Sequence, residues 1–124
     1  SRKMKENILK DRSFQFSLAE IKVYKQVSVE HKEYVLTKQL LRSGTAIGAL
    51  YREAEHAQSK IDFIHKLSIA LKEANETLYW IELLHQSAYL TDDAFTTLQE
   101  ICLELIKLLV AIIKTTKASI TSNK

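Results

Sequence analysis

The Glu-x-x-His spacing, which can direct a carboxylate and an imidazole at one metal ion from a single helix, occurs twice in the sequence. It is found at Glu53 and His56 and again at Glu82 and His85. In some four-helix bundles, two such motifs and two further glutamates hold a pair of metal ions. Here one motif ends a predicted helix and the other lies far along the next, roughly 28 Å away at 1.5 Å per residue, whereas paired ions lie about 4 Å apart. The spacing excludes a metal site within one chain and leaves open only a site between subunits.

No other arrangement of side chains in the sequence is typical of catalysis. There is no Ser/His/Asp set, glycine-rich phosphate loop or Cys-x-x-Cys pair. Cys102, the single cysteine, has no activating base or helix start beside it, so we interpret it as a small buried hydrophobic residue. His85 is interpreted as a hydrogen-bonded histidine near a helix end. A lone cysteine and no segment resembling a signal peptide favour a cytoplasmic protein. We predict no enzymatic activity, cofactor, metal or small-molecule substrate.

A stripe of basic side chains follows the outer face of the second predicted helix. Its members are Lys38, Arg42, Arg52 and His56. Thr45 and Ala49 lie between Arg42 and Arg52, so that successive residues along the stripe are three or four positions apart. Such a stripe can lie along the phosphates of RNA or DNA, where each neutralised phosphate adds salt-dependent affinity. The alternative is a solvated face whose arginines pair with carboxylates such as Glu53 or Glu55, or with a neighbouring subunit. A net charge of +3 is compatible with both interpretations.

The elements that carry these residues must be few and long. The 124 residues include no proline and only two glycines, and sheet proteins of this size need many turns that draw on both. We therefore predict an all-α, antiparallel up-down four-helix bundle over residues 13–120, after a polar N-terminal lead-in at residues 1–12. The longest apolar run, residues 108–113, is far shorter than the roughly 20 residues that span a bilayer.

Capping residues and apolar spacing place the four helices. Helix 1 is predicted to start at Ser13, with Phe14, Leu18 and Ile21 on one face. Helix 2 covers about residues 33–57, and its core stripe includes Gly44 and other small residues that allow a neighbouring helix to approach closely. Helix 3 follows a capping-box-like start at residues 59–62, and helix 4 runs from residues 91–93 to about residue 119.

Helix 4 carries more apolar surface than one bundle needs. Its apolar residues cover an arc of roughly 220°, whereas a core-facing helix needs about 100° or a little more. The excess set, which we predict to be an oligomer interface, comprises Phe95, Leu103, Ile106, Val110 and Ile113. Helix 1 shows the same excess, with Phe16 and Val23 opposite Ile21. The alternative is that helix 4 lies centrally and its neighbours cover it. Tyr79 and Trp80 are expected in the core or an interface and not in a base-stacking surface.

Several stretches of the sequence resemble one known family. They are residues 38–49, 52–54, 62–64, 72–77 and 79–80, and they resemble the 23S rRNA intervening-sequence proteins, also described as S23-type four-helix bundle proteins. The resemblance extends over about residues 7–117. One position departs from the family pattern, because Leu50 stands where the family usually has Asn. Any site built around that Asn is therefore in doubt.

The resemblance implies a small bacterial cytoplasmic protein, often encoded within an insertion in the large ribosomal RNA gene. It also implies ring-like homo-oligomers, with pentamers favoured, and a relation to accessory proteins of diversity-generating retroelements, which engage nucleic acid and a reverse transcriptase. It carries over no catalytic residue. Our leading hypothesis is a non-enzymatic oligomer that contacts RNA or DNA through the basic stripe of helix 2. The alternative is a structural scaffold or protein-interaction module without nucleic-acid binding.

Overall fold

Four α-helices make up the computed structural model, which describes residues 1–122. They are α1 (Arg2–His31), α2 (Leu36–Ala54), α3 (Lys60–Gln86) and α4 (Asp92–Ser122), with no strand among the described residues. Each helix packs on its neighbours in sequence, and α1 also packs on α4, which closes the bundle. Neighbouring helices pair early residues of one with late residues of the next, as in the ion pair of Lys10 with Glu55. The predicted all-α, antiparallel four-helix bundle is confirmed.

The predicted polar lead-in of residues 1–12 is wrong, because α1 already begins within it and not at Ser13. Leu9 is fully buried, and the Glu6 carboxylate accepts a hydrogen bond from the Tyr51 hydroxyl at 3.1 Å. Most residues of this segment are charged because they face solvent, while Leu9 extends the buried face of α1 towards its start.

α1 has two apolar faces, and the face that is buried is not the one formed by Phe14, Leu18 and Ile21 but the opposite one. Phe14, Leu18 and Ile21 are substantially exposed, Leu18 by 47%. The buried residues of α1 are Leu9, Ser13, Phe16, Glu20, Val23 and Val27. A helix with apolar residues on both sides has no amphipathic pattern that fixes its orientation. The fit to α2 decides it here, because small Ser13 lies against Gly48, where an added Cβ would come within 3.1 Å of its hydroxyl.

α2 begins three residues after Glu33, whose side chain caps it. The Glu33 carboxylate accepts hydrogen bonds from the amides of Val35, Leu36 and Thr37 at 2.9–3.1 Å, which satisfies groups that have no partner within the helix. Partial burial opposes the charge of the Glu33 carboxylate, but these bonds and the Thr37 hydroxyl outweigh it and lower the pKa of Glu33. The helix start predicted at about residue 33 is therefore the start of its cap.

Both later helices begin where the sequence predicts. The Ser59 hydroxyl accepts a hydrogen bond from the Asp62 amide at 3.0 Å, and the Thr91 hydroxyl accepts one from the Ala94 amide at 3.1 Å. Between α3 and α4, Ala88 has a left-handed φ of 69°, a conformation that favours glycine at the ends of helices.

The core predicted from the periodicity of α2 and α4 is confirmed. Its fully or almost fully buried members are Leu40, Ile47, Tyr51 and Ala54 on α2 and Leu98, Cys102, Leu105, Leu109 and Ile112 on α4. In α3, Leu67, Ala74 and Ile81 are buried, whereas His85 remains partly exposed. Leu50, at the position that departs from the family pattern, packs partly buried against this core.

Candidate interaction surfaces

Arg42, in the predicted basic stripe of α2, is bound by carboxylates of α3. Its Nη1 donates to Glu73 at 2.9 Å, its Nη2 donates to Glu76, and its Nε donates to the Gln39 side chain at 3.1 Å. Hydrogen bonds from the Trp80 indole, at 2.9 Å, and from Arg42 lower the pKa of Glu76 and keep its carboxylate charged. The charge of Arg42 is therefore largely balanced within the chain, although by Glu73 and Glu76 and not by Glu53 or Glu55.

The other three basic residues of the stripe keep their exposure to solvent. Arg52 lies over the ring of Phe14 on α1, with its guanidinium carbon 5.4 Å from the ring centroid. Lys38 and His56 are exposed, and neither forms an ion pair within residues 1–122. The structure thus turns Arg42 towards α3 and Arg52 towards α1.

The excess apolar residues of α4 divide into exposed and buried members. Leu103 and Val110 are about half exposed, Val110 by 48%, and we call this pair the α4 outer stripe. Ile106 and Phe95 are partly buried against the core. Ile113 is only 8% exposed, so its assignment to an interface is wrong and it belongs to the core. The helix wheel places it there because it lies four residues after Leu109 and one after Ile112, inside the buried arc.

A second exposed apolar surface lies on α1 and consists of Phe14, Leu18 and Ile21, which we call the α1 outer stripe. Phe14 borders α2, where Arg52 covers its ring. Val110, by contrast, borders α3 and shares a shallow groove with Leu71. The two outer stripes therefore lie on different sides of the bundle.

The centre of the bundle holds a group that the sequence reasoning missed, the carboxyl of Glu20. It is fully buried, and neither of its oxygens has a hydrogen-bond partner in the described part of the chain. It lies against the backbone of Gly44, where an added Cβ would fall 1.5 Å from Oε2. Burial raises the pKa of Glu20 to about 10. Small residues in α2 do admit a neighbour, as predicted, but at Gly44 that neighbour is a carboxyl group.

Each helix contributes to a set of buried polar residues that we call the central polar layer, namely Glu20, Ser43, Thr77 and Cys102. The Thr77 hydroxyl donates to the Ser43 hydroxyl at 3.0 Å, and the Cys102 thiol donates to the Ala74 carbonyl at 3.4 Å. Desolvation, followed by the proximity of Glu20, raises the pKa of Cys102 to about 12, which agrees with an inert buried thiol. The position of Glu20, four residues after Phe16 and three before Val23, would have placed it inside had the orientation of α1 been known.

The two Glu-x-x-His motifs lie at opposite ends of the bundle, as their spacing predicts. Glu53 pairs with Lys66 at 3.3 Å near the α2–α3 connection. His85 pairs with Asp92 at 2.8 Å near the α3–α4 connection and stacks on Phe95 with ring centroids 3.9 Å apart. Residues 1–122 contain no cluster of three or more His, Cys, Asp or Glu side chains suited to a metal ion.

Two neighbouring aromatic residues of α3, Tyr79 and Trp80, differ in their exposure. Tyr79 is mostly exposed and contacts the edge of Trp80, which is partly buried beside the core. The expectation of a core or interface position is thus met by Trp80, and Tyr79 lies on the surface of α3. Within the described residues, no helix has the length and apolar character needed to cross a membrane.

Comparison with known proteins finds one family and a close structural relative. The model of the 23S rRNA-intervening sequence protein family matches residues 5–111. The 1.70 Å crystal structure of a protein of unknown function from the S23 ribosomal protein family of Bacteroides thetaiotaomicron VPI-5482 superposes with a TM-score of 0.86. The two sequences are 52% identical over 89% of this chain and 98% of that one. No protein with a curated description matches the chain.

Proposed function

The chain belongs to the 23S rRNA-intervening sequence protein family, and from that premise we propose that it is a non-enzymatic helical bundle that works as a self-associated assembly. The observation that carries the proposal is the pair of exposed apolar stripes on different sides of one bundle. Single exposed apolar side chains are ordinary, but contiguous apolar stripes mark interaction sites.

Two different stripes on one subunit favour a head-to-tail arrangement. In such a contact, the α1 outer stripe of one copy packs on the α4 outer stripe of the next, and the copy at each end of an open row keeps one free stripe until the row closes. A closed ring covers all of them. The homo-oligomeric rings implied by the family resemblance are of this kind, and the pentamer is the size that it favours.

The experiment is to charge each stripe separately and measure molar mass by size-exclusion chromatography with light scattering. Leu18→Lys and Val110→Lys are both expected to give folded monomers, because each places an ammonium group in a contact that would otherwise bury apolar surface. Ile61→Lys is the matched control, since Ile61 is 71% exposed at the start of α3, away from both stripes. A monomeric wild-type protein, or assembly that survives both substitutions, would contradict the proposal.

A second candidate function is contact with RNA or DNA through α2. It is supported by the exposure of Lys38, Arg52 and His56, of which Lys38 and His56 have no carboxylate partner within residues 1–122. A ring would repeat these cations once per subunit, and phosphate contacts add affinity together.

Fluorescence anisotropy with a labelled RNA hairpin tests this candidate at several salt concentrations. Lys38→Ala and Arg52→Ala should each weaken binding and reduce its dependence on salt, whereas Lys5→Ala, which removes an exposed lysine of α1, should have little effect. Equal effects at all three positions, or no binding at low salt, would reject α2 as the nucleic-acid surface while leaving self-association untouched.

A further inference from the structure

The carboxyl of Glu20 is buried, and no hydrogen bond from residues 1–122 offsets the cost of removing it from water. Its side chain is fully enclosed, and neither oxygen accepts or donates a hydrogen bond to another group within residues 1–122. An isolated buried charge is far more costly than a buried neutral polar group, so such a side chain folds in its protonated form. The absence of a Cβ at Gly44 provides the space that the carboxyl occupies.

Within residues 1–122, we find no charged group beside Glu20 that would stabilise its ionised form. α2 contributes Gly44 and the neighbouring Ser43, and α3 contributes Thr77, none of which ionises. α4 contributes the Cys102 thiol, which is itself held neutral by burial. When Glu20 loses its proton, the folded bundle therefore has no group that balances the charge, and the carboxylate gains stability only by reaching water.

α1, the helix that carries Glu20, is a terminal helix whose ion pairs with the other helices lie at the surface. Its ion pairs with its neighbours, Lys10 with Glu55 and Arg12 with Glu104, are at the surface, where such pairs contribute little. In contrast, α2 and α3 share the buried bond between Thr77 and Ser43. α1 also keeps part of its apolar surface on the outside, and terminal elements open at lower free energy than central ones.

We propose that α1 docks onto the other three helices only while the Glu20 carboxyl is neutral, so that loss of one proton releases α1 and opens the central polar layer. The inference does not depend on the proposed self-association, because every group that it uses lies inside one subunit. It assigns a role in proton binding to a residue that the family resemblance leaves without one.

Cys102 provides a direct probe, since it is the single cysteine and faces the same layer. The full-length protein is alkylated with iodoacetamide between pH 6 and pH 8.5, and each rate is divided by the rate for the urea-unfolded chain at the same pH. This ratio gives the opening constant free of the ionisation of the thiol. One linked proton makes the opening constant rise about tenfold for each pH unit.

Glu20→Gln, which keeps the shape of the neutral acid, should make the opening constant independent of pH. Glu100→Gln removes an exposed carboxylate of α4 and should keep the full tenfold slope. Equal slopes in the wild type and Glu20→Gln would overturn the proposal. Should Glu20→Gln fail to fold, the wild-type slope decides alone, because a flat profile also overturns it.

Hydrogen exchange with mass spectrometry identifies the element that opens. Amides of α1 are expected to show lower protection factors than the central amides of α3 at every pH, and the protection of α1 should fall about tenfold per pH unit. Equal protection factors in all four helices would mean that the bundle opens as a whole, and would overturn the release of α1.

Discussion

α2 meets α1 on one side and α3 on the other, and the two interfaces treat their buried polar groups in opposite ways. Towards α3, the Thr77 hydroxyl donates to the Ser43 hydroxyl, which in turn donates to the Gln39 carbonyl of its own helix. Towards α1, the Glu20 carboxyl lies on Gly44, and neither of its oxygens has a hydrogen-bond partner among the described residues. A satisfied polar pair adds stability without any dependence on pH, whereas an unsatisfied acid couples stability to its proton.

The largest effect expected at the α1–α2 interface is that of Gly44→Ala. The new Cβ would lie 1.5 Å from Oε2 of Glu20, so the buried carboxyl must shift or the two helices must separate. We expect a loss of about 3 kcal/mol in the free energy of unfolding, measured by urea denaturation, because overpacking of a core costs up to about that amount.

The matching double variant shows whether Glu20 is the cause. In a Glu20→Ala background, Gly44→Ala should become neutral or stabilising by up to about 1 kcal/mol, since alanine is the better helix former. Gly48→Ala is the control within the same interface, because its Cβ meets the Ser13 hydroxyl at 3.1 Å and needs only a small adjustment. Equal losses from Gly44→Ala with and without Glu20 would place the strain elsewhere.

The next effect in size is a gain in stability from Glu20→Gln. The pKa of Glu20 is raised from 4.5 to about 10 in the folded state, so its contribution is fully present below pH 4.5 and is lost as the pH rises towards 10. Each pH unit in this window removes about 1.4 kcal/mol. At pH 7 the glutamine variant should therefore be more stable than the wild type by about 2–3 kcal/mol. This difference already allows for the cost of burying the amide of the glutamine, which offsets part of the gain.

Thermal and urea unfolding at pH 5, 7 and 9 measure this difference. The advantage of Glu20→Gln should be smallest at pH 5 and largest at pH 9, where the wild type has lost most. A wild-type stability that does not decline between pH 5 and pH 9, relative to the variant, would show that Glu20 folds in its charged form.

The α2–α3 interface should respond to the loss of a polar group with the opposite sign. Thr77→Val keeps the shape of the side chain but removes the donor to Ser43, whose hydroxyl still bonds within its own helix. We expect a loss of about 1 kcal/mol that is the same at pH 5 and pH 9. A gain in stability from Thr77→Val would remove the contrast between the two interfaces.

The sequence predicted the architecture well because its signals are local. Ser59 and Thr91 mark helix starts by their own side chains, and the absence of proline fixes long elements. The orientation of α1 is a different kind of property. Apolar residues lie on both of its sides, so its orientation depends on the fit to α2, where Ser13 lies against Gly48 and Glu20 against Gly44.

The prediction of the candidate surfaces depends on the same orientation of α1. If α1 is rotated so that its other face is buried, Glu20 is interpreted as a solvent-exposed charge and the α1 outer stripe is interpreted as part of the core. The spacing of the basic residues on α2 predicts a shared stripe, but spacing alone does not show that two carboxylates of α3 bind Arg42. Such pairing depends on the rotation of one helix against another, which no single helix encodes.

Arg42→Ala should have the smallest effect, because the ion pairs that it removes are partly exposed and screened by solvent. We expect a loss of about 0.5–1 kcal/mol in the free energy of unfolding, which shrinks in 1 M NaCl. Arg42→Lys should recover less than half of it, since an ammonium group does not span both Glu73 and Glu76 as the guanidinium does. The guanidinium of Arg42 donates to Gln39, Glu73 and Glu76 of its own chain, so light scattering should show an unchanged assembly. Dissociation of the assembly by Arg42→Ala would instead show that subunits contact each other on the α2–α3 side of the bundle and not through the outer stripes. The interface whose buried polar groups are satisfied would then also be the side on which subunits meet.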